Sequence, residues 1–125
     1  MRMDYAEFAR WLDLVLFRPL PEGIAAFNFN LYEDGEDARL FAAQLIGAPD
    51  YDPYLPDWAC EELFSTGEYL FLLRAENWEK CLDLCESYVR SYLQQGFYRE
   101  KLLAARAVCV GFVDGDLVPV WERGN

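Results

Sequence analysis

The sequence predicts an α+β fold: a mainly antiparallel sheet of two hairpins, covered on one face by an N-terminal helix and a long central helix. Its 125 residues are 54% hydrophobic and 17% aromatic, which suits one domain spanning 1–125 with a core that needs no disulfides. Apolar residues recur at helical spacing at the start and in the middle of the chain. Apolar runs joined by short turns fill the remainder, and these predict hairpins.

The first third of the chain predicts a helix followed by a hairpin. Residues 4–17 repeat apolar positions at steps of three and four, and Pro19 ends this helix. Residues 24–32 alternate apolar and polar side chains, as a half-buried strand does. An acidic turn over 33–37 leads to 39–46, which we interpret as the second strand.

The middle of the chain predicts a loop and the longest helix. Three prolines indicate a loop over 47–57, and Asp57 is expected to cap a short helix over 58–64. Residues 69–73 predict a short buried strand. Residues 77–94 carry a helical apolar stripe, with Asn77 placed to cap its start. The stripe consists of Trp78, Cys81, Leu82, Cys85, Tyr88, Val89 and Tyr92.

The last third predicts a short helix over 98–105 and a second hairpin. Residues 107–113 are nearly all apolar and rich in valine, which is typical of a central strand buried on both faces. A turn over 114–116 connects them to a strand over 117–121. Because Pro119 cannot donate to a sheet, this last strand is expected at an edge or a bulge.

Composition and charge exclude several classes of ligand. The chain has 22 acidic and 11 basic residues and no histidine, a net charge of −11. Nucleic acids and anionic membranes need basic residues, so neither is an expected partner. No apolar run is long enough for a transmembrane helix, and acidic residues interrupt the N-terminal segment where a signal peptide needs an apolar region. We expect a cytoplasmic protein.

Catalytic and metal-binding signatures are absent from the sequence. Without histidine no Ser-His or Cys-His pair can form, and no glycine-rich phosphate loop occurs. Cys60, Cys81, Cys85 and Cys109 lack the spacing of a zinc site, so we expect four reduced thiols, no metal and no cofactor. An abundance of carboxylates leaves a glycosidase-like pair possible, but nothing singles out two of them. The expectation is that the protein is not an enzyme.

The negative charge is concentrated in one segment. Residues 21–68 hold eleven acidic residues and only Arg39 as a basic one, so they carry −10 of the net charge. This segment is either a solvated face or a surface for a basic partner; a calcium loop fits poorly because the spacing of an EF-hand is missing. Acids in loops, interleaved with aromatics, favour a binding surface. The expected partner-binding residues are Glu33, Asp34, Glu36, Asp37, Asp50, Tyr51, Asp52, Tyr54, Asp57 and Trp58, although Trp58 could equally belong to the core.

Four strings, FNLYE, DWACEELF, SYLQQG and GFVDGD, resemble those of a bacterial family. The family is that of immunity proteins associated with polymorphic-toxin and contact-dependent inhibition loci, and the resemblance covers most of residues 24–117. It implies a cytoplasmic inhibitor that neutralises a cognate toxin, often a basic nuclease, by tight binding. It implies no specific binding residues, because these families differ in the position of their interfaces. Two other classes stay open: an acidic adaptor or regulatory domain for another basic protein, and a small-molecule-binding domain or enzyme that uses carboxylates in an aromatic pocket.

Overall fold

The computed structural model describes residues 4–124, which form helices on one side of a mixed six-stranded sheet. The helices are α1 (Tyr5–Phe17), α2 (Trp78–Gln95) and α3 (Arg99–Leu103), and a 3₁₀ turn spans Pro56–Cys60. The strands are β1 (Ala26–Glu33), β2 (Leu40–Ala48), β3 (Phe64–Ser65), β4 (Phe71–Arg74), β5 (Ala107–Phe112) and β6 (Val118–Glu122). The α+β class is therefore confirmed.

The sheet is not built from antiparallel pairs alone. Its order is β3-β2-β1-β5-β6, and β4 also pairs with β2. The hairpins β1-β2 and β5-β6 are antiparallel, but β1 and β5 lie parallel at the centre of the sheet. A parallel neighbour requires a long crossover, and the chain from β2 to β5 provides one through α2 and α3. The sequence patterns predicted each hairpin but not this central pairing.

Local capping explains the bounds of α2. Asn77 Oδ1 accepts a hydrogen bond from the backbone N–H of Lys80 at 2.9 Å, as its position predicted. At the other end, the Gly96 N–H donates to the Tyr92 carbonyl. Gly96 has a φ of −68°, so the backbone does not require glycine there. A Cβ atom at Gly96 would lie 2.6 Å from the Tyr92 ring, so close packing on that ring requires it.

Two helical predictions were wrong in detail. Residues 58–64 do not form a helix capped by Asp57: the 3₁₀ turn starts at Pro56, follows Leu55, and has no side-chain cap. The chain then returns to the sheet, where Phe64 pairs with Gly47, so tertiary strand pairing overrides the local pattern. In α2, Trp78 is 54% exposed and does not belong to the buried stripe, because it lies in the first turn.

The last strand lies at an edge of the sheet and is irregular, as Pro119 predicted. β6 is an edge strand, and its register against β5 shifts between Val108 and Cys109, next to the pair Cys109–Pro119.

On one face of the sheet, which we call the helix face, Phe27, Phe29 and Leu45 pack with α1 and α2 in the main core. The alternate residues form the opposite face, which we call the loop face.

The loop face has a smaller core of its own. Small side chains of three strands, Ala26, Ala48 and Ala107, cluster there with Ile46, Cys109 and Trp58. The segment between β2 and β3 folds back to supply Trp58, and the turn between β5 and β6 closes over Gly111. A Cβ atom at Gly111 would lie 2.6 Å from the backbone oxygen of Asp116. The absence of a side chain at Gly111 therefore lets that turn approach the sheet.

Candidate partner-binding surface

The predicted partner-binding residues fall into two groups at opposite ends of the β1-β2 hairpin. The first group, the hairpin tip, is the acidic connection after β1, from Glu33 to Asp37. The second group, the loop segment, spans residues 50–58 after β2. Strands of eight or nine residues separate the two groups, which is about 25 Å at about 3.3 Å per residue. That span is about the width of a standard interface of about 800 Å² per partner.

At the hairpin tip, Asp37 has a structural role. Its carboxylate accepts hydrogen bonds from the backbone N–H of Arg39 at 2.9 Å and from the Arg74 guanidinium at 3.2 Å. The hydrogen bond from the Arg39 backbone, followed by that from Arg74, lowers the pKa of Asp37 below its usual value. Glu33 and Glu36 are exposed and form no ion pair with any residue of the described range 4–124.

In the loop segment, Tyr51 is tied to the fold at both ends of its side chain. Its hydroxyl donates to Glu122 at 2.6 Å, and its ring contacts Trp58 edge-on at a centroid distance of 5.2 Å. Burial, followed by the hydrogen bond to Glu122, raises the pKa of Tyr51 above its ordinary value. The Arg106 guanidinium lies 5.7 Å from the centre of the same ring. Tyr51 is thus held in one orientation by three neighbours.

The other two aromatic residues of the loop segment differ sharply in exposure. Trp58 is only 8% exposed and belongs to the loop-face core. This is the core role that the sequence left open for it, and it leaves little of Trp58 for a partner to touch. Tyr54 is 88% exposed, and its backbone N–H donates to Asp52 Oδ1 at 2.8 Å. The ring of Tyr54 is therefore displayed on a turn that Asp52 stabilises.

The loop segment forms one wall of a cavity of about 220 Å³. Asp52 and Asp116 both line it, together with Tyr51, Tyr54, Trp58 and Cys109. Sequence reasoning did not select Asp116, because its turn explains an aspartate without a binding role. The cavity exists because the turn before β6 folds toward the loop segment across β5, and no sequence signal reveals that approach.

Further acidic side chains reach the loop face. Besides burial, which is the largest cause, the nearby carboxylates of Glu62 and Glu68 raise the pKa of the Tyr32 hydroxyl. Tyr32 belongs to the loop face because it alternates with the helix-face residue Leu31. Glu62 and Glu68 were not among the predicted site residues, although both lie in the segment that carries the excess charge. They extend the negative surface between the hairpin tip and the loop segment.

Amide side chains form a chain of hydrogen bonds across the loop face. Asn28 donates to Asn30 at 2.6 Å, Asn30 donates to Gln44 at 3.2 Å, and Gln44 donates to the Gly67 carbonyl at 3.0 Å. Asn28 is fully buried, and its Oδ1 has no donor within residues 4–124. By register, Asn28 is the β1 partner of Cys109, which lines the cavity. An unpaired buried amide oxygen is unusual, because leaving it unbonded costs about 1–3 kcal/mol.

A second, larger concavity lies elsewhere. It is an apolar groove of about 640 Å³ between the end of α1 and the β3-β4 connection. Leu14, Phe17 and Tyr69 line it and are 56%, 69% and 49% exposed. None of the ten predicted partner-binding residues lines this groove.

Within the part of the chain that the structure describes, no group of three or more metal-ligating side chains is placed to hold an ion. Residues 4–124 contain no helix with the length and apolar character needed to cross a membrane. Comparison with protein-family models, with curated proteins and with solved structures finds no match to this chain.

Proposed function

We propose that this chain is an immunity protein that binds a basic bacterial toxin in the cytoplasm of the producing cell and blocks it by occlusion. The observation that carries the proposal is the uncompensated charge of residues 21–68. Of their eleven acidic residues, only Asp37 forms an ion pair within the described residues 4–124. The resemblance of the four sequence strings to immunity proteins agrees with this chemistry.

The mechanism is stoichiometric binding without turnover. Unpaired carboxylates on one side of a protein raise the rate of encounter with a positively charged partner. Once the partner is bound, exposed aromatics such as Tyr54 supply the area that slows dissociation. The toxin is inhibited because its basic substrate-binding surface is covered.

Growth protection tests the proposal most simply. The gene beside this one in its native genome is expressed in a bacterial host, alone or together with this protein. We expect growth arrest with the neighbour alone, relief on co-expression, and a complex of the two proteins on gel filtration. If the neighbouring product is harmless, or if co-expression gives no relief, the proposal is wrong.

Enzymatic assays provide a second test. The purified protein should hydrolyse none of a broad panel of esters, phosphates and glycosides, because inhibition by occlusion needs no chemistry. A robust activity that is lost on mutating a single carboxylate would contradict the proposal.

The apolar groove favours a second candidate function, the binding of a small molecule. Its volume of about 640 Å³ falls within the range of about 300–1,000 Å³ for small-molecule sites. Its exposed walls, Leu14, Phe17 and Tyr69, would shield an apolar ligand. Binding of an apolar fluorescent dye that is lost in Phe17→Ser but retained in Tyr54→Ser would favour this candidate. A protective effect on growth that survives Phe17→Ser would favour the immunity function.

A further inference from the structure

We propose that the cavity between the loop segment and the turn before β6 receives the guanidinium group of an arginine side chain from the partner. This inference rests on the proposed function, because it names the group on the partner that this surface binds. Its basis is the composition of the cavity, whose lining combines two aspartates with aromatic residues.

The size of the cavity fits a side chain better than a free metabolite. At about 220 Å³ it lies below the range of about 300–1,000 Å³ that is usual for drug-sized ligands. It is also open to solvent beside Tyr54, which is 88% exposed. A single long side chain on the surface of a partner can enter such a site.

The charge of the cavity selects a cation. Asp52 and Asp116 come from separate segments and line the same space, and neither forms an ion pair within residues 4–124. Asp52 uses Oδ1 to bind the Tyr54 backbone, which leaves its Oδ2 without a described donor. Arg106 lies over the Tyr51 ring and lines the neighbouring cavity instead.

The aromatic walls of the cavity favour a guanidinium over an ammonium. A planar guanidinium stacks on aromatic rings and carries five N–H donors in a fixed fork, whereas an ammonium is a compact and strongly hydrated charge. Tyr54 provides an exposed ring, and the more buried Tyr51 and Trp58 also line the cavity.

Titration with small probes tests the cavity without the partner. Isotope-labelled protein is titrated with N-acetylarginine amide and, as an uncharged analogue of the same shape, with N-acetylcitrulline amide, and amide shifts are followed by NMR. We expect saturable shifts in residues 51–58, 109 and 116–117 with the arginine probe only. Equal shifts with the citrulline probe, or shifts elsewhere in the protein, would overturn the inference.

The two aspartates that flank Gly115 provide a test variant and a matched control for binding of the arginine probe. Asp116 lines the cavity and Asp114 does not, and both are exposed in the same turn. Asp116→Asn should weaken the arginine probe about tenfold, because a charged hydrogen-bond acceptor is lost, and Asp114→Asn should weaken it less than about twofold. Equal effects of the two substitutions would mean that only the general negative potential matters, and would contradict the inference.

The same variants separate this inference from the proposed function. If the neighbouring toxin binds and both variants protect equally well, the immunity function stands and the arginine site is wrong. If no toxin is found but the arginine probe binds and depends on Asp116, the site stands and the proposed function is wrong. Thermal melting of each variant verifies that the fold is intact.

Discussion

The two faces of the sheet use alternate residues of the same strands but are packed by different principles. On the helix face, large side chains such as Phe27 and Phe29 meet α1 and α2 and form most of the core. On the loop face, alanines, Asn28 and Cys109 lie under an irregular segment and a turn. The helix face therefore supplies most of the stability, while the loop face leaves room for a cavity, amide groups and acidic loops.

Truncating a helix-face aromatic should have the largest effect on stability. Phe29 is fully buried and stacks with Phe8 and Trp11, so Phe29→Ala should lower the free energy of unfolding by about 3–5 kcal/mol. Asn30→Ala, the next residue on the loop face, is the matched control and should cost about 1 kcal/mol. Urea unfolding measures both, and similar losses would show that the two faces do not differ.

Removing the aromatic centre of the loop face should have the next largest effect. Trp58→Ala should lower the free energy of unfolding by about 3 kcal/mol, at the low end for buried aromatics because the irregular segment can partly collapse. Tyr54→Ala should change it by no more than about 0.5 kcal/mol, since that side chain is 88% exposed. An unchanged melting temperature for Trp58→Ala would contradict the loop-face core.

A buried polar residue on the loop face should show an effect of the opposite sign. Asn28→Leu replaces an amide whose Oδ1 is unpaired by an apolar group of similar size, and should raise the free energy of unfolding by about 1 kcal/mol. Chemical denaturation of the variant measures the change. A loss of more than about 1 kcal/mol would mean that the hydrogen bond from Asn28 to Asn30 outweighs the unpaired oxygen.

The reactivity of the four cysteines tests how well each face is buried, and its effect on stability is the smallest expected here. Burial raises the pKa values of Cys81 and Cys109 to about 12, whereas Cys60 is exposed. At pH 8 a thiol reagent should modify one cysteine of the native protein rapidly and all four after denaturation.

The raised pKa values of the buried thiols make the stability of the protein depend on pH. Unfolded thiols lose protons near pH 9 while the buried ones do not, so their contribution to stability is present below pH 9 and declines above it. Rapid modification of all four native cysteines would contradict this burial, and stoichiometric zinc would contradict the expected free thiols.

Local patterns predicted most elements, and tertiary contacts account for what they missed. The helix α1, the strands of both hairpins, the Asn77 cap and the bulge at Pro119 all follow from residues close in sequence. The parallel pairing of β1 with β5 depends on where a long crossover ends, which no local pattern encodes.

The candidate site was predictable only in part, for the same reason. Asp52 and Tyr54 stood out by composition, but Asp116 becomes a neighbour of the loop segment only because Gly111 lets its turn approach the sheet. The burial of Trp58 likewise depends on three alanines from separate strands, which leave space for its ring.

The most direct test of the proposed binding surface measures how fast this protein associates with the product of the neighbouring gene, at low and high salt. Asp50→Asn with Asp57→Asn removes two of the three negative charges of the loop segment, and Glu79→Gln with Asp83→Asn makes the same change of charge on exposed positions of α2. We expect the loop-segment variant to associate about tenfold more slowly at low salt and the α2 variant to associate at close to the wild-type rate. About 0.3 M salt should remove the difference. Equal rates for the two variants, or a wild-type rate that is indifferent to salt, would show that the acidic segment is only a solvated face.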